Sequence, residues 1–246
     1  MELFHVIPHQ TYDAFTNMAI DEMLLYQGTP TIRFYTWQPS AVSIGYFQSV
    51  NEEVNLRECE RQGVDVVRRI TGGGAVYHDH YGELTYSFIC PNNMVPQNIM
   101  ESYRLICSAI AEGLGTLGIV AQHTGINDIV VNGKKISGSA QTRRQGIVLQ
   151  HGTILLRVNV EKMFSLLNVS AEKISDKQIL SVKERVTSIE KEIKHFTRDE
   201  VRNAILKGFS YCLNLSFIDR KLNDLEMLQV EKLRKKYESK EWIFKR

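Results

Sequence analysis

Cysteine is scarce in this 246-residue chain: Cys59, Cys90, Cys107 and Cys212 are the full set, and no two have C-x-x-C spacing. That excludes a zinc ribbon or a thioredoxin-like redox motif, and the scattered thiols read as reduced, in a cytoplasmic protein. No unbroken apolar run approaches the roughly 18 residues of a membrane span. The opening MELFHVIPHQ lacks the basic-then-apolar order of a signal peptide. Charge of one sign is lacking too: 30 Lys and Arg face 28 Asp and Glu, a net of +2, which leaves no footprint for nucleic acid. The phosphate-binding spacings G-x-x-x-x-G-K-[ST] and G-x-G-x-x-G are absent. Without repeats, low-complexity tracts or Pro/Ser-rich linkers, no domain boundary is signalled before about residue 160.

What is present is patterned. Hydrophobic residues make up 43% of the chain, enough for one sizeable core. A helix is predicted over Asn17–Gln27, stopped by Gly28. Thr31–Trp37 and Ala41–Tyr46 alternate as strands about Gln38-Pro39-Ser40. A helix over Glu52–Gln62 leads into a strand over Val64–Arg69, then a strand over Leu84–Ile89 and an amphipathic helix over Ile99–Leu114. Asn132-Gly133 between Ile129-Val130-Val131 and Lys134-Lys135-Ile136 predicts a tight hairpin. Strict alternation along its returning strand puts Lys135, Ser137 and Ser139 on one face, and Ile136, Gly138 and Ala140 on the other. Gly146–Val158 reads as a further strand. Beyond about Val160 the chain turns charged and helical, with a capping box at Thr197–Glu200 and a last helix over Leu225–Tyr237. The expectation is one domain over 1–246 of the α+β class, strand-rich to about 160 and helical after, with hairpins in its sheet.

Three local constellations invite chemistry. Arg68-Arg69-Ile70-Thr71 leads into Gly72-Gly73-Gly74, followed by Ala75-Val76-Tyr77-His78-Asp79. Three consecutive glycines cost backbone entropy, and suit a ligand lying against the main chain with arginines nearby for an anion. A tight turn with solvated arginines explains the same residues. Second, Asn127-Asp128 precede the hairpin, and Lys135 beside Ser137 can hold negative charge on reacting oxygens; ordinary hairpin-edge lysines are the plainer account. Third, His151-Gly152 sits in a strand, where a histidine is more often a packed core residue.

Taken in order, RRITGGGAVYHD (68–79), IND with GKKISGSAQ (126–141), LQHGTILL (149–156), SVKERVTSI (181–189) and KY…EW (236–242) resemble the lipoate–protein ligase family. The resemblance covers the chain from about residue 15 onward. It implies a mixed, largely antiparallel central sheet flanked by helices, the biotin/lipoate-ligase fold related to class II aminoacyl-tRNA synthetases. It also implies ATP-dependent activation of lipoate to lipoyl-AMP, with ATP and Mg²⁺ as cofactors. The lipoyl group then passes to a lysine of carrier domains, the E2 subunits of 2-oxoacid dehydrogenases and the glycine cleavage H protein. By position, Lys135 would be catalytic, touching both acyl carboxylate and α-phosphate. Arg69, Gly74, Ala75, Val76, Tyr77, Asn127 and Asp128 would bind the nucleotide, and Asp128 would help position Mg²⁺. Gly72, Gly73, His78, Ser137, Gly138 and His151, with Arg69 and Lys135, would line the lipoate channel. Members often carry a further small C-terminal domain that is not seen before Arg246, so a separately encoded accessory subunit is expected.

Rival readings exist. An octanoyl or lipoyl transferase of the same fold would move the acyl group between carrier proteins without ATP, through a cysteine placed shortly before the polar pair. Here Gly125-Ile126-Asn127-Asp128 stand at that place, and this favours the ligase. A lipoyl transferase using preformed lipoyl-AMP and a non-catalytic binding module are the others. A biotin ligase is disfavoured because its Gly-Arg-Gly-Arg loop is missing.

Overall fold

The computed structural model describes residues 1–168 and 183–246. In chain order the elements are β1 (Glu2–Tyr12), α1 (Ala14–Gln27), β2 (Thr31–Trp37), β3 (Ala41–Ile44), α2 (Val50–Glu53), α3 (Leu56–Arg61), β4 (Asp65–Arg68) and β5 (Val76–His78). Next come β6 (Glu83–Pro91), α4 (Ile99–Gly115), β7 (Ala121–Thr124), β8 (Asp128–Val131), β9 (Lys134–Arg144) and β10 (Ile147–Leu155). The helical part holds α5 (Val160–Leu166), α6 (Ile189–Glu192), α7 (Arg198–Leu213), α8 (Asp224–Glu238) and α9 (Lys240–Ile243), with β11 (Leu215–Asp219) between α7 and α8.

Eight strands form one sheet in the order β11-β1-β2-β6-β10-β9-β8-β7. β1 runs parallel to β11 and β2; every other neighbour pair is antiparallel. The mixed, largely antiparallel sheet expected of an α+β chain is therefore present. Helices α4 and α7 cover one face through Ile106, Ile110, Val201, Ile205 and Phe209. On the other face α1 and α8 pack through Met18, Leu24, Leu25, Val230 and Tyr237. A second sheet, β4-β3-β5, stands apart with its own core around Val42, Ile44 and Val54. Among the described residues no helix is long and apolar enough to cross a membrane.

Several local expectations shift for identifiable reasons. β1 carries no clear alternation and was not anticipated; its place comes from parallel pairing on both sides. All seven residues of β2 are buried, because helices cover both faces of this central strand. Arg33 can enter that interior because Asp21 Oδ1 lies 2.9 Å from its Nη1. The helix expected over Glu52–Gln62 is broken into α2 and α3 at Val54, whose extended backbone bridges to Leu167. The hairpin turn forms as expected, with Asn132 and Gly133 both left-handed (φ 50° and 76°).

Candidate functional site

Between the α1-covered face of the large sheet and the small sheet lies a cavity of about 380 Å³, within the ordinary range for small-molecule sites. Met18, Tyr35, Trp37 and Leu155 give it apolar surface, and Ser43, Arg69, His78, Asn127, Lys135 and His151 its polar groups. Of the residues singled out in the sequence, Arg69, Gly73, Gly74, Ala75, Val76, Tyr77, His78, Asn127, Lys135, Gly138, Ser139, Ala140, His151 and Gly152 line it. Gly72, Asp128 and Ser137 do not.

Ser137 is displaced by a β-bulge. Ile129 pairs with Ser137, but the next residue, Val130, pairs with Lys135, so β9 carries one extra residue at Ile136. One inserted residue reverses the alternation beyond it. Lys135 consequently shares its face with Gly138: a Cβ built on Gly138 would lie 2.7 Å from Lys135 Nζ. Ala140 and His151, paired across β9 and β10, line the same cavity. Ser139 turns its hydroxyl the other way, 2.9 Å from Tyr86 Oη. The expected face of Lys135, Ser137 and Ser139 is corrected to Lys135, Gly138 and Ala140.

The triple-glycine turn is clamped by Arg69. Its Nε donates to Thr71 Oγ1 (3.1 Å), Nη1 to Ser43 O and Oγ (3.0 and 3.1 Å), and Nη2 to Gly72 O and Gly74 O (2.8 and 2.7 Å). All five N–H groups are thereby engaged with protein oxygens. Among the described residues no carboxylate pairs with this guanidinium, and burial pushes it down to about 10. Gly45 holds the turn from the other side. A Cβ there would meet Gly73 O at 2.0 Å, so only glycine permits the approach. Neighbouring Arg68 fastens the C-terminal segment, donating to the carbonyls of Trp242 and Ile243.

Two carboxylate–imidazole pairs flank Arg69. In one, Glu83 Oε1 lies 2.7 Å from His78 Nδ1, and His78 Nε2 lies 2.8 Å from Ser43 Oγ. Trp37 stacks on the His78 ring at 4.1 Å, and Thr85 donates to the same Glu83 oxygen at 2.6 Å. In the other, Asp21 Oδ2 lies 3.0 Å from His151 Nδ1, and His151 Nε2 lies 2.8 Å from Thr71 Oγ1. Burial pushes His151 below its ordinary 6.5, partly offset by Asp21, so the ring is neutral near pH 7. Burial alone would raise Asp21, but hydrogen bonding from His151 and the charge of Arg33 hold it low.

At the border of the site Lys135 Nζ lies 2.6 Å from Asp128 Oδ1, with the two side chains 42% and 35% exposed. Asn127 stands behind them, its side-chain amide donating to Ser139 O. Asp128 was expected to help hold Mg²⁺. The donor set does not fit: Asp128 faces the Lys135 ammonium, and among the described residues no three His, Cys, Asp or Glu side chains cluster as metal ligands.

None of the four cysteines lines the cavity. Cys107 is fully buried behind Ser139 (3.9 Å), where burial pushes its thiol up to about 11. Burial likewise raises Cys90 to about 12 and Cys59 to about 11. Ser43, Glu83, Asp21, Trp37 and Tyr35 were missed in the sequence. They come from four elements, α1, β2, β3 and β6, and the antiparallel pairing of β3 with β5, Ala41 opposite His78, brings Ser43 beside the imidazole. Within the SVKERVTSI motif, Ser181 and Val182 lie outside the described residues, whereas Val186 bridges to Lys135 and lines the cavity.

The family model for the lipoyl protein ligase A/B catalytic domain matches residues 13–210. Octanoyltransferase LipM of Clostridioides difficile is 34% identical over the whole of both chains, and that of Geobacillus kaustophilus is 39% identical over 94% of each. Among solved structures, the bipartite lipoate protein ligase of Thermoplasma acidophilum superposes with a TM-score of 0.90 at 32% identity, covering 99% of this chain and 96% of that one. That solved structure is of a ligase, whereas these two curated relatives are octanoyltransferases, so the fold alone does not assign the reaction. The expected ATP-dependent ligation, with ATP and Mg²⁺ as cofactors, is overturned by those curated relatives. The geometry agrees, since the two groups assigned to phosphate and metal, Arg69 and Asp128, are engaged by the protein itself. By sequence and by fold, this chain belongs to the lipoyl protein ligase A/B catalytic domain family.

Proposed function

We propose that the protein is an acyltransferase that moves an octanoyl or lipoyl group, already activated as a thioester on one carrier protein, to a lysine of a lipoyl-carrier domain. The acceptors are the E2 and H-protein lipoyl domains named by the resemblance. The observation that carries this reading is full-length similarity to octanoyltransferases, joined to a cavity of acyl-chain size bordered by the Lys135 ammonium. A thioester needs no further activation, so its carbonyl can be attacked directly. Negative charge then collects on the former carbonyl oxygen, and a fixed ammonium nearby favours that charged state over the neutral ground state. Lys135 is suited to this role because its amine is tethered from a hairpin strand and backed by Gly138. The apolar surface of Met18, Trp37 and Leu155 would take the alkyl chain and exclude water from the carbonyl.

The test is to incubate the purified chain with an octanoyl-carrier thioester and an apo lipoyl domain, without nucleotide, and to weigh the domain intact. Gain of one octanoyl group is expected; no gain in the presence of active donor removes the reading. A second reading, transfer from a preformed lipoyl-adenylate made by another protein, is favoured by the structural likeness to a ligase and by the absence of cysteine from the cavity. Supplying synthetic lipoyl-adenylate in place of the thioester separates the two.

A further inference from the structure

Resting on that acyl-transfer reading, we infer that Ser43 is the covalent acyl carrier of this enzyme, activated by His78 and Glu83. The three side chains form an unbroken chain. Ser43 Oγ lies 2.8 Å from His78 Nε2, and His78 Nδ1 lies 2.7 Å from Glu83 Oε1. This is the hydroxyl–imidazole–carboxylate order by which a weak alcohol becomes a nucleophile: the carboxylate fixes the tautomer with the proton on Nδ1, leaving Nε2 to take the hydroxyl proton. Ser43 and His78 both line the cavity, where an acyl donor would lie. Arg69 adds a cation that pairs with no carboxylate among the described residues, its Nη1 3.1 Å from Ser43 Oγ, which favours negative charge developing there. Trp37 stacks flat on the imidazole and holds its plane. No cysteine lines the cavity, and among its hydroxyls Ser43 is the one held by an imidazole: Tyr77, Thr85 and Ser139 bond to Asp79, Glu83 and Tyr86, and Thr71, held by His151, lies outside its walls.

The chemistry balances in two steps. Ser43 Oγ attacks the thioester carbonyl; the new C–O bond forms, the C–S bond breaks, and the serine proton passes through His78 to the departing thiolate. The acceptor lysine amine then attacks the serine ester; the C–N bond forms, the C–O bond breaks, and His78 carries the amine proton back to Ser43 Oγ.

The experiment mixes the enzyme with octanoyl-pantetheine while withholding the acceptor, quenches in acid, and weighs the protein intact. The expected result is one octanoyl adduct, mapped by fragmentation to Ser43, resistant to neutral hydroxylamine as an oxygen ester is, and discharged on adding apo lipoyl domain. Ser43→Ala, checked for an unchanged melting curve, is expected to lose the adduct and to lower kcat on the order of 10³-fold or more, with KM little affected. Ser43→Cys is expected to restore an adduct that hydroxylamine now strips. Turnover by the wild-type enzyme without any adduct overturns the inference while leaving the acyltransferase reading intact, and an adduct on a cysteine does the same. Absence of both turnover and adduct overturns the two together.

Discussion

Replacing Asp21 by asparagine probes the polar interior that holds the site. Asp21 is fully buried and accepts hydrogen bonds from Arg33 (2.9 Å), Tyr35 (3.0 Å), Ser87 (2.8 Å) and His151 (3.0 Å). Asparagine keeps the shape and one acceptor oxygen but removes the carboxylate that, among the described residues, pairs with Arg33, itself fully buried. Leaving a buried charge unpaired costs about 3–5 kcal/mol. At about 2–4 °C per kcal/mol for a chain of this size, that is a fall in Tm of roughly 6–20 °C. Urea unfolding at pH 7 measures the loss directly. The companion variant Asp21→Asn with Arg33→Met, which removes both charges, is expected to recover part of it. A pH series adds a sign. His151 sits below its ordinary 6.5 in the fold, so below that pH the unfolded chain binds more protons and stability falls as pH drops. Asp21 is what holds His151 up; without it the His151 value drops further and the loss between pH 6.5 and 5 deepens. A destabilisation under about 1 kcal/mol, with an unchanged pH slope, would refute the assignment of Asp21 as the charge on which this interior depends.

Three further substitutions separate the site from its scaffold. Lys135→Met is expected to lower kcat on the order of 10²-fold or more while shifting stability by no more than about 1 kcal/mol, because its ion pair with Asp128 is over a third exposed; stopped assays beside a thermal melt check both. Gly138→Ala is expected to fold normally and lose activity, since the new methyl displaces only the flexible end of Lys135; the Tm and kcat of the purified variant decide it. Gly45→Ala is expected to fail differently, because its Cβ meets the rigid Gly73 carbonyl at 2.0 Å: a lowered Tm should accompany lost activity, and a wild-type melting curve would contradict the packing described.

What the sequence showed and what it hid divide along the range of the interaction. The Asn132-Gly133 turn and the glycine run after Arg69 are local, and dihedral preference makes both readable. The bulge at Ile136 is not, because nothing in Lys-Lys-Ile-Ser-Gly-Ser marks which residue drops out of register; a single unpaired residue then exchanged the partners of Lys135. Thr31–Trp37 was legible as a strand, but its burial on both faces was not, because that depends on the two helical layers that cover it. Ser43 and His78 lie 35 residues apart, and a serine in an alternating strand carries no mark of its imidazole neighbour. The family was legible from its ordered motifs. The choice between ligation and transfer was not, because relatives of both kinds match essentially the whole chain. The absence of a cysteine before Asn127-Asp128 points to the ligase, and the curated octanoyltransferase relatives overturn that reading.

The most direct measurement compares two initial rates of acyl gain by one apo lipoyl domain. One uses octanoyl-carrier thioester with chelator and no nucleotide; the other uses free octanoate or lipoate with ATP and Mg²⁺. The account predicts a fast first rate and a second rate at background. A background first rate beside a fast second would contradict it.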